Sequence, residues 1–205
     1  MLRDLCPNLV RGDIYVRYVA PRDYDPALKP IAGLFLPGVR TRVNADRNHD
    51  SDTFYGVALP ALLRDPGVAS LDLSGRGHFD RLFVPDITAA LAESTTLRNL
   101  DMSGCDDLSD MLFSVLGAAP DGGRIACPAL TWLKLSRGSS QEDDIAHPLA
   151  PWVALSKSIG HLELDDTGIN DAGAATLGRA LGANASLTTL SLSGNYIGDA
   201  GSQLG

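Results

Sequence analysis

The densest run of oxygen-bearing side chains in this 205-residue sequence is Asn44, Asp46, Asn48, Asp50 and Asp52, on alternating positions. Such a run could ring a hard cation. A helix–loop–helix calcium site also demands glycine at the sixth loop position and a bidentate glutamate at the twelfth. Counted from Asp46, those places hold Ser51 and Val57. The run therefore reads as a solvated loop, with Asp50 or Ser51 capping a helix over Phe54–Leu63.

The other reactive types are equally scattered. Cys6, Cys105 and Cys127 are too few for a disulfide framework, and no two have the close spacing of a zinc knuckle. Cys105 has no histidine near it in sequence to activate the thiol. His49, His78, His147 and His161 share no metal-ligand spacing. The acid pairs Asp143–Asp144 and Asp165–Asp166 fall in predicted loops or strand ends and read as solvated surface. Asn184 begins a glycosylation sequon with Ser186, but in a predicted helix-to-strand turn of a chain read as intracellular, so the match is accidental. There is no glycine-rich phosphate loop and no nucleophile elbow. The expectation is a protein that is not an enzyme, with no catalytic, cofactor-binding or metal-binding residues.

Composition narrows the partners. A formal net charge of −8 opposes binding to a phosphate backbone or an anionic membrane. Hydrophobic residues make up 44% of the chain, enough for a continuous core. The opening residues interrupt their apolar run with Arg3 and Asp4, unlike a secretory signal. No stretch reaches the roughly 18 apolar residues of a membrane span. These features point to a cytoplasmic protein whose partner is another protein, with neither nucleic acid nor membrane involved.

Any functional face must then be built by repetition. Five segments share the pattern L-x-x-L-x-L: Val68, Leu71, Leu73; Leu97, Leu100, Met102; Leu130, Leu133, Leu135; Ile159, Leu162, Leu164; and Leu187, Leu190, Leu192. Their first positions, 68, 97, 130, 159 and 187, are 29, 33, 29 and 28 residues apart. The long interval contains a Gly/Pro-rich stretch, 117–123, which reads as a surface insertion. Six residues before each start lie Leu62, Leu91, Arg124, Val153 and Leu181; ten before the second, fourth and fifth lie Ile87, Leu149 and Leu177. Apolar residues four apart mark one buried helix face. Each unit thus pairs a short strand with a helix, and neither buries its apolar side without a stacked neighbour. Pro85 suits the start of a helix running to about Glu93. Asn170–Asp171 would cap a helix over Ala172–Leu181, with Gly182 as its stop.

The segment from Leu187 through Asn195 and Ile197 to Gly201 resembles the ribonuclease-inhibitor-like leucine-rich repeat, as does that from Ile159 to Gly173. The segment Leu97–Asp110, with Cys105, is similar to the cysteine-containing repeat of F-box-linked adaptors. The resemblance implies an α/β solenoid, a curved horseshoe segment with parallel concave strands and convex helices. It also implies that the position held by Cys105 and Asn195 satisfies backbone groups in the turn after the strand. Arg76, Gly138 and Thr167 occupy that position elsewhere, which implies irregular turns in the first three repeats. Residues 55–205 are expected to hold about five repeats, the last incomplete. Residues 1–54 are expected to be a divergent cap or degenerate repeat, with a strand within 12–20.

On this plan the strand-lined face carries Asp72, Asn99, Asp101, Trp132, Lys134, His161, Glu163 and Asp165, and these are the candidate protein-binding residues. Trp132 is either a contact residue or a residue covered by the insertion or by the loop 138–147. The surrounding acids point to a partner with a basic surface. The sequence ends inside the helix of its fifth unit without a polar cap, and a second contact is expected there. The function expected is that of a structural subunit of a larger assembly; related long-repeat proteins serve in axonemal complexes, in immune sensors and as bacterial effectors. A ubiquitin-ligase adaptor would need a helical F-box, which the residues after Leu36–Pro37 do not form. A Ran-type GTPase activator would need a positioned loop arginine, for which Arg76 and Arg137 are candidates.

Overall fold

The computed structural model describes residues 13–16, 40–43, 59–64, 66, 68–75, 77–78, 84–106, 125–137 and 145–198. Seven strands form one parallel sheet: β1 (Asp13–Val16), β2 (Arg40–Val43), β3 (Ser70–Asp72), β5 (Asn99–Asp101), β7 (Trp132–Lys134), β8 (His161–Glu163) and β9 (Thr189–Ser191), in that spatial order. Between them in the chain, β4 (Gly77–His78) and β6 (Cys105–Asp106) make a small second parallel pair. The helices are α1 (Leu59–Arg64), α2 (Val84–Glu93), α3 (Ala146–Leu155) and α4 (Asp171–Ala183).

The three-residue strands follow from the motif. Its middle leucines are stacked in register, Leu71 on Leu100, Leu133, Leu162 and Leu190. All but Leu190 are buried. The alternating neighbours face the other way. The helices close the opposite side with the residues the periodicity marked: Ile87 and Leu91 from α2, Leu149 and Val153 from α3, Leu177 from α4. Leu181 is only partly buried, and α1 is anchored by Leu59 and Leu63. Burying each such side chain is worth about 1.5–3 kcal/mol. Among the described residues the helices pack on one side of the sheet, and the other face is where a site can be built.

Trp152 in α3 is fully buried and ties the helix to the preceding unit, its indole N–H donating to the Ala126 carbonyl at 2.9 Å. The start of α4 is as expected: Asn170 accepts from the N–H groups of Ala172 and Gly173 at 2.9 and 3.0 Å. Its end is not. Gly182 lies inside the helix, which runs on to Ala183 and stops at Asn184 in an extended conformation. The cause is tertiary: the Asn184 amide donates to the carbonyls of Val153 and Ser156 at 2.6 and 2.9 Å and accepts from the N–H groups of Ser186 and Leu187 at 2.8 Å each. A chain pinned in this way needs no left-handed glycine to leave the helix.

The strand within 12–20 is β1. The predicted loop 44–52, the insertion 117–123 and most of the loop 138–147 lie outside the described residues, as do Arg76, Arg124 and Gly138. The same holds for the side chain of Leu62.

Candidate functional site

Register assembles the outward face from residues about 30 apart in sequence. Ser70, Asn99, Trp132, His161 and Thr189 form one row across the strands. Asp72, Asp101, Lys134, Glu163 and Ser191 form the next. Two adjacent strands, β7 and β8, hold four side chains in mutual contact. The Trp132 and His161 rings stack with centroids 5.9 Å apart and planes inclined by 19°. His161 Nε2 lies 2.9 Å from Glu163 Oε1, and Lys134 Nζ lies 2.8 Å from Glu163 Oε2. Trp132 is half-buried by this packing.

The electrostatics follow the geometry. Its hydrogen bond to Glu163 raises the Lys134 pKa above the usual lysine range, against a smaller desolvation effect, and the charges of Glu163, Asp101 and Asp165 add to it. At Glu163 desolvation works upward, but the bonds from Lys134 and His161, with their charges, outweigh it and hold the carboxyl below its ordinary value. Both groups are therefore firmly charged at neutral pH. Asp165 bridges to the last strand, accepting from the Ser191 hydroxyl at 2.6 Å and the Ser193 N–H at 2.8 Å. Asp101 accepts from the Ser103 N–H at 2.9 Å.

Asp72 departs from the expectation of an exposed face residue. It shares the row but is only 4% exposed, and its Oδ1 accepts from the Ser74 N–H and hydroxyl at 3.0 and 2.6 Å. It is a turn-forming side chain set between β2 and β5. The other seven candidates share one accessible or half-accessible face.

Arg76 and Gly138, two of the three residues on which irregular turns were expected, lie outside the described residues; the residue just before the turn position is conformationally alike in every unit. The residue seven places after each motif start has positive φ in all five units: Gly75 (70°), Gly104 (67°), Arg137 (60°), Asp166 (55°) and Gly194 (71°). Two of these are therefore non-glycine residues in a strained region. Arg137 and Asp166 are 3.6 Å apart, with side chains 81% and 53% exposed. One place further on, Asn195 accepts from the N–H groups of Thr167 and Ile169 and donates to the carbonyls of Leu164 and Leu192 at 2.7 and 2.9 Å. Cys105 repeats part of this, its thiol donating to the Leu73 carbonyl at 3.3 Å, and Thr167 repeats another part through the Leu164 carbonyl at 2.8 Å. Cys105 is a turn residue, fully buried.

Two further ladder residues carried no signal in the repeat pattern. The buried Cys127 donates to the Leu91 carbonyl at 3.2 Å, and Asn184 makes the corresponding bond two units further along, to Val153 at 2.6 Å. Burial pushes the Cys127 thiol up to about 12, the opposite of what a nucleophile needs. Asn184 spends both amide hydrogens inside the fold, so its sequon is closed to modification in the folded chain. Among the described residues no group of three or more His, Cys, Asp or Glu could hold a metal ion. No described helix is long and apolar enough to cross a membrane.

A family model described as leucine-rich repeat matches residues 183–203, the segment around β9 and its Asn195 turn. The chain has a leucine-rich-repeat fold. Among solved structures this fold is similar to leiomodin-1 actin-binding site 2, with a TM-score of 0.51 and 14% identity over 65% of this chain and 76% of that one. A tropomodulin C-terminal domain from Caenorhabditis elegans aligns at a TM-score of 0.48 and 13% identity, over 76% of this chain and 89% of that one. No curated protein matches the sequence.

Proposed function

We propose that this protein is a non-enzymatic interaction scaffold of the ribonuclease-inhibitor-like branch, acting as a structural subunit of a larger intracellular assembly such as an axonemal complex. Its binding face consists of Asn99, Asp101, Trp132, Lys134, His161, Glu163 and Asp165. The observation that carries the reading is the linked set Trp132, His161, Glu163 and Lys134. These four are held in fixed positions by one another on the open side of the sheet, and a rigid aromatic centre rimmed by charge is what protein interfaces use. On β5, β7 and β8 and the turn after β8, Asp101, Glu163 and Asp165 are set against Lys134 alone, so the partner brings a basic surface to this part of the sheet.

A second contact is assigned to the last repeat. Leu187, Leu190, Leu192 and Ile197 are only partly buried, and Tyr196 is 55% exposed. Residues 1–54 are assigned to a divergent cap or degenerate repeat; the starts of β1, β2 and β3 at residues 13, 40 and 70, spacings of 27 and 30 close to the repeat period, support the repeat alternative.

The test is affinity purification with mass spectrometry, comparing the wild-type bait with the double variant Trp132→Ala, Glu163→Gln. The expected result is a partner retained by the first and lost by the second, at equal folding by circular dichroism. A partner set unchanged by the double substitution overturns the assignment of the face. Actin is included as a named candidate because the leiomodin-1 structure is an actin-binding site. A second reading, a Ran-type GTPase activator, rests on Arg137, exposed and strained at a strand end. Stimulation of GTP hydrolysis that Arg137→Ala abolishes would favour it.

A further inference from the structure

Charge and planarity coincide around Trp132. Arg42 of β2 stands at the far end of the row that holds Asp101, Lys134 and Glu163, beside Asp72; among the outward strand positions of β3, β5, β7, β8 and β9, Lys134 is the one lysine or arginine, and it is consumed by Glu163 at 2.8 Å. The carboxylates on either side are not consumed. Asp101 and Asp165 each commit Oδ1 to a backbone N–H, of Ser103 and Ser193 respectively, and Asp165 Oδ1 also takes the Ser191 hydroxyl. Oδ2 of both has no partner among the described residues. Asn99, directly beside Trp132 in the neighbouring strand, likewise makes no side-chain hydrogen bond among the described residues. The result is an indole fixed by its stack on His161, flanked by acceptors that are oriented but unsatisfied.

We propose that this face recognises arginine: a guanidinium laid against the Trp132 indole, with its N–H groups directed to Asp101 Oδ2 and the Asn99 side-chain carbonyl, and carried by an extended basic segment of a partner protein. The proposal rests on the reading of the strand face as the protein-binding surface and adds the group it selects. A lysine would satisfy the charge alone. Its ammonium is compact and strongly hydrated, whereas guanidinium is planar, weakly hydrated and stacks on aromatic faces while presenting a fork of donors. The second open oxygen, on Asp165, lies two strands away and one strand-pair further along, roughly 12 Å by sheet geometry. An extended chain covers that distance in about four residues, and side chains four apart share a face, so two arginines at that spacing engage both acids.

The probe is the peptide acetyl-Ser-Arg-Ser-Ser-Ser-Arg-Ser-amide against its lysine twin, titrated into the full chain at about 0.15 M salt, where exposed charges are screened beyond about 8 Å. Calorimetry gives affinity, and indole fluorescence reports on Trp132, since Trp152 is fully buried. The arginine peptide is expected to bind about fivefold tighter than the lysine peptide. Trp132→Leu brings the ratio to about one, Trp132→Phe keeps most of it, and Asp101→Asn weakens the arginine peptide several-fold. Should Trp132→Leu fail to fold, Asp101→Asn carries the test. Equal affinity for the two peptides, both weakened by Asp101→Asn and Asp165→Asn, overturns arginine selection while supporting the acidic protein-binding face. Affinities that none of these substitutions changes overturn both. Binding of neither peptide overturns arginine selection, and the bait comparison then decides the face by itself.

Discussion

Glu163 is the residue on which the face turns, because it receives both Lys134 and His161. Its folded pKa is lowered from an unperturbed 4.5 and that of Lys134 is raised from 10.5. A lowered carboxyl stabilises the fold above its unfolded pKa, and that contribution is lost as pH falls through the folded value. A raised lysine stabilises below its unfolded pKa, and that contribution is lost as pH rises through the folded value. The pair should therefore contribute evenly across neutral pH and decline below about 4.5. Glu163→Gln is expected to lower stability at pH 7 by no more than about 1 kcal/mol and to flatten part of the acid limb. Urea midpoints measured from pH 3 to 7 check this, and an unaltered acid limb would remove Glu163 from the account. At this scale the sequence marked Trp132 and the acids correctly as a shared face, but not that Asp72 is buried. Burial of Asp72 depends on the strands packed either side of it, which lie about 30 residues away in either direction.

At the scale of elements, Cys105 and Asn195 in turns after strands, and Cys127 and Asn184 in turns before them, donate to carbonyls of the preceding unit. Asn195 is the fullest case, with four backbone partners. Asn195→Ala leaves half-buried donors and acceptors unmet and is expected to cost about 2–4 kcal/mol. Asn170→Ala removes only a helix cap and is expected to cost about 1 kcal/mol. Chemical denaturation of the two variants ranks them, and a reversed order would mean the Asn195 ladder is not structural. The cap at Asn170 was readable because capping is local in sequence. The stop at Asn184 was not, because its hydrogen-bond acceptors belong to the previous repeat, and Gly182 offered a local signal that the tertiary bonds override.

For the whole molecule, each unit touches mainly its neighbours, so stability is expected to vary along the stack. Leu133 is buried between two flanking strands, and Leu133→Ala should cost about 3–5 kcal/mol. Leu190 occupies the same place in β9 but is only partly buried, and Leu190→Ala should cost distinctly less, about 1–2 kcal/mol. Equal losses measured by urea denaturation would argue for a single cooperative core in place of nearest-neighbour stacking. The same gradient predicts that amide protection falls from β7 to β9.

The repeat period, the strand-and-helix unit and the identity of the outward strand positions were all in the sequence, because hydrophobic periodicity is written residue by residue and stacking simply multiplies it. The contacts that make those positions a site were not. The stack of Trp132 on His161, the sharing of Glu163 between Lys134 and His161, and the bond from Asp165 to Ser191 join residues 26–29 apart, apart from the His161–Glu163 contact within one strand. Which of two exposed acids is satisfied and which keeps an open oxygen depends on rotamers chosen against neighbouring strands. The left-handed conformation of Arg137 and Asp166 was hidden for a related reason: it is held by the ladder of backbone bonds from strand to strand, including Arg137 N–H to the Asp165 carbonyl and Asp166 N–H to the Ser193 carbonyl at 3.0 and 2.9 Å, at residues that do not favour it by themselves.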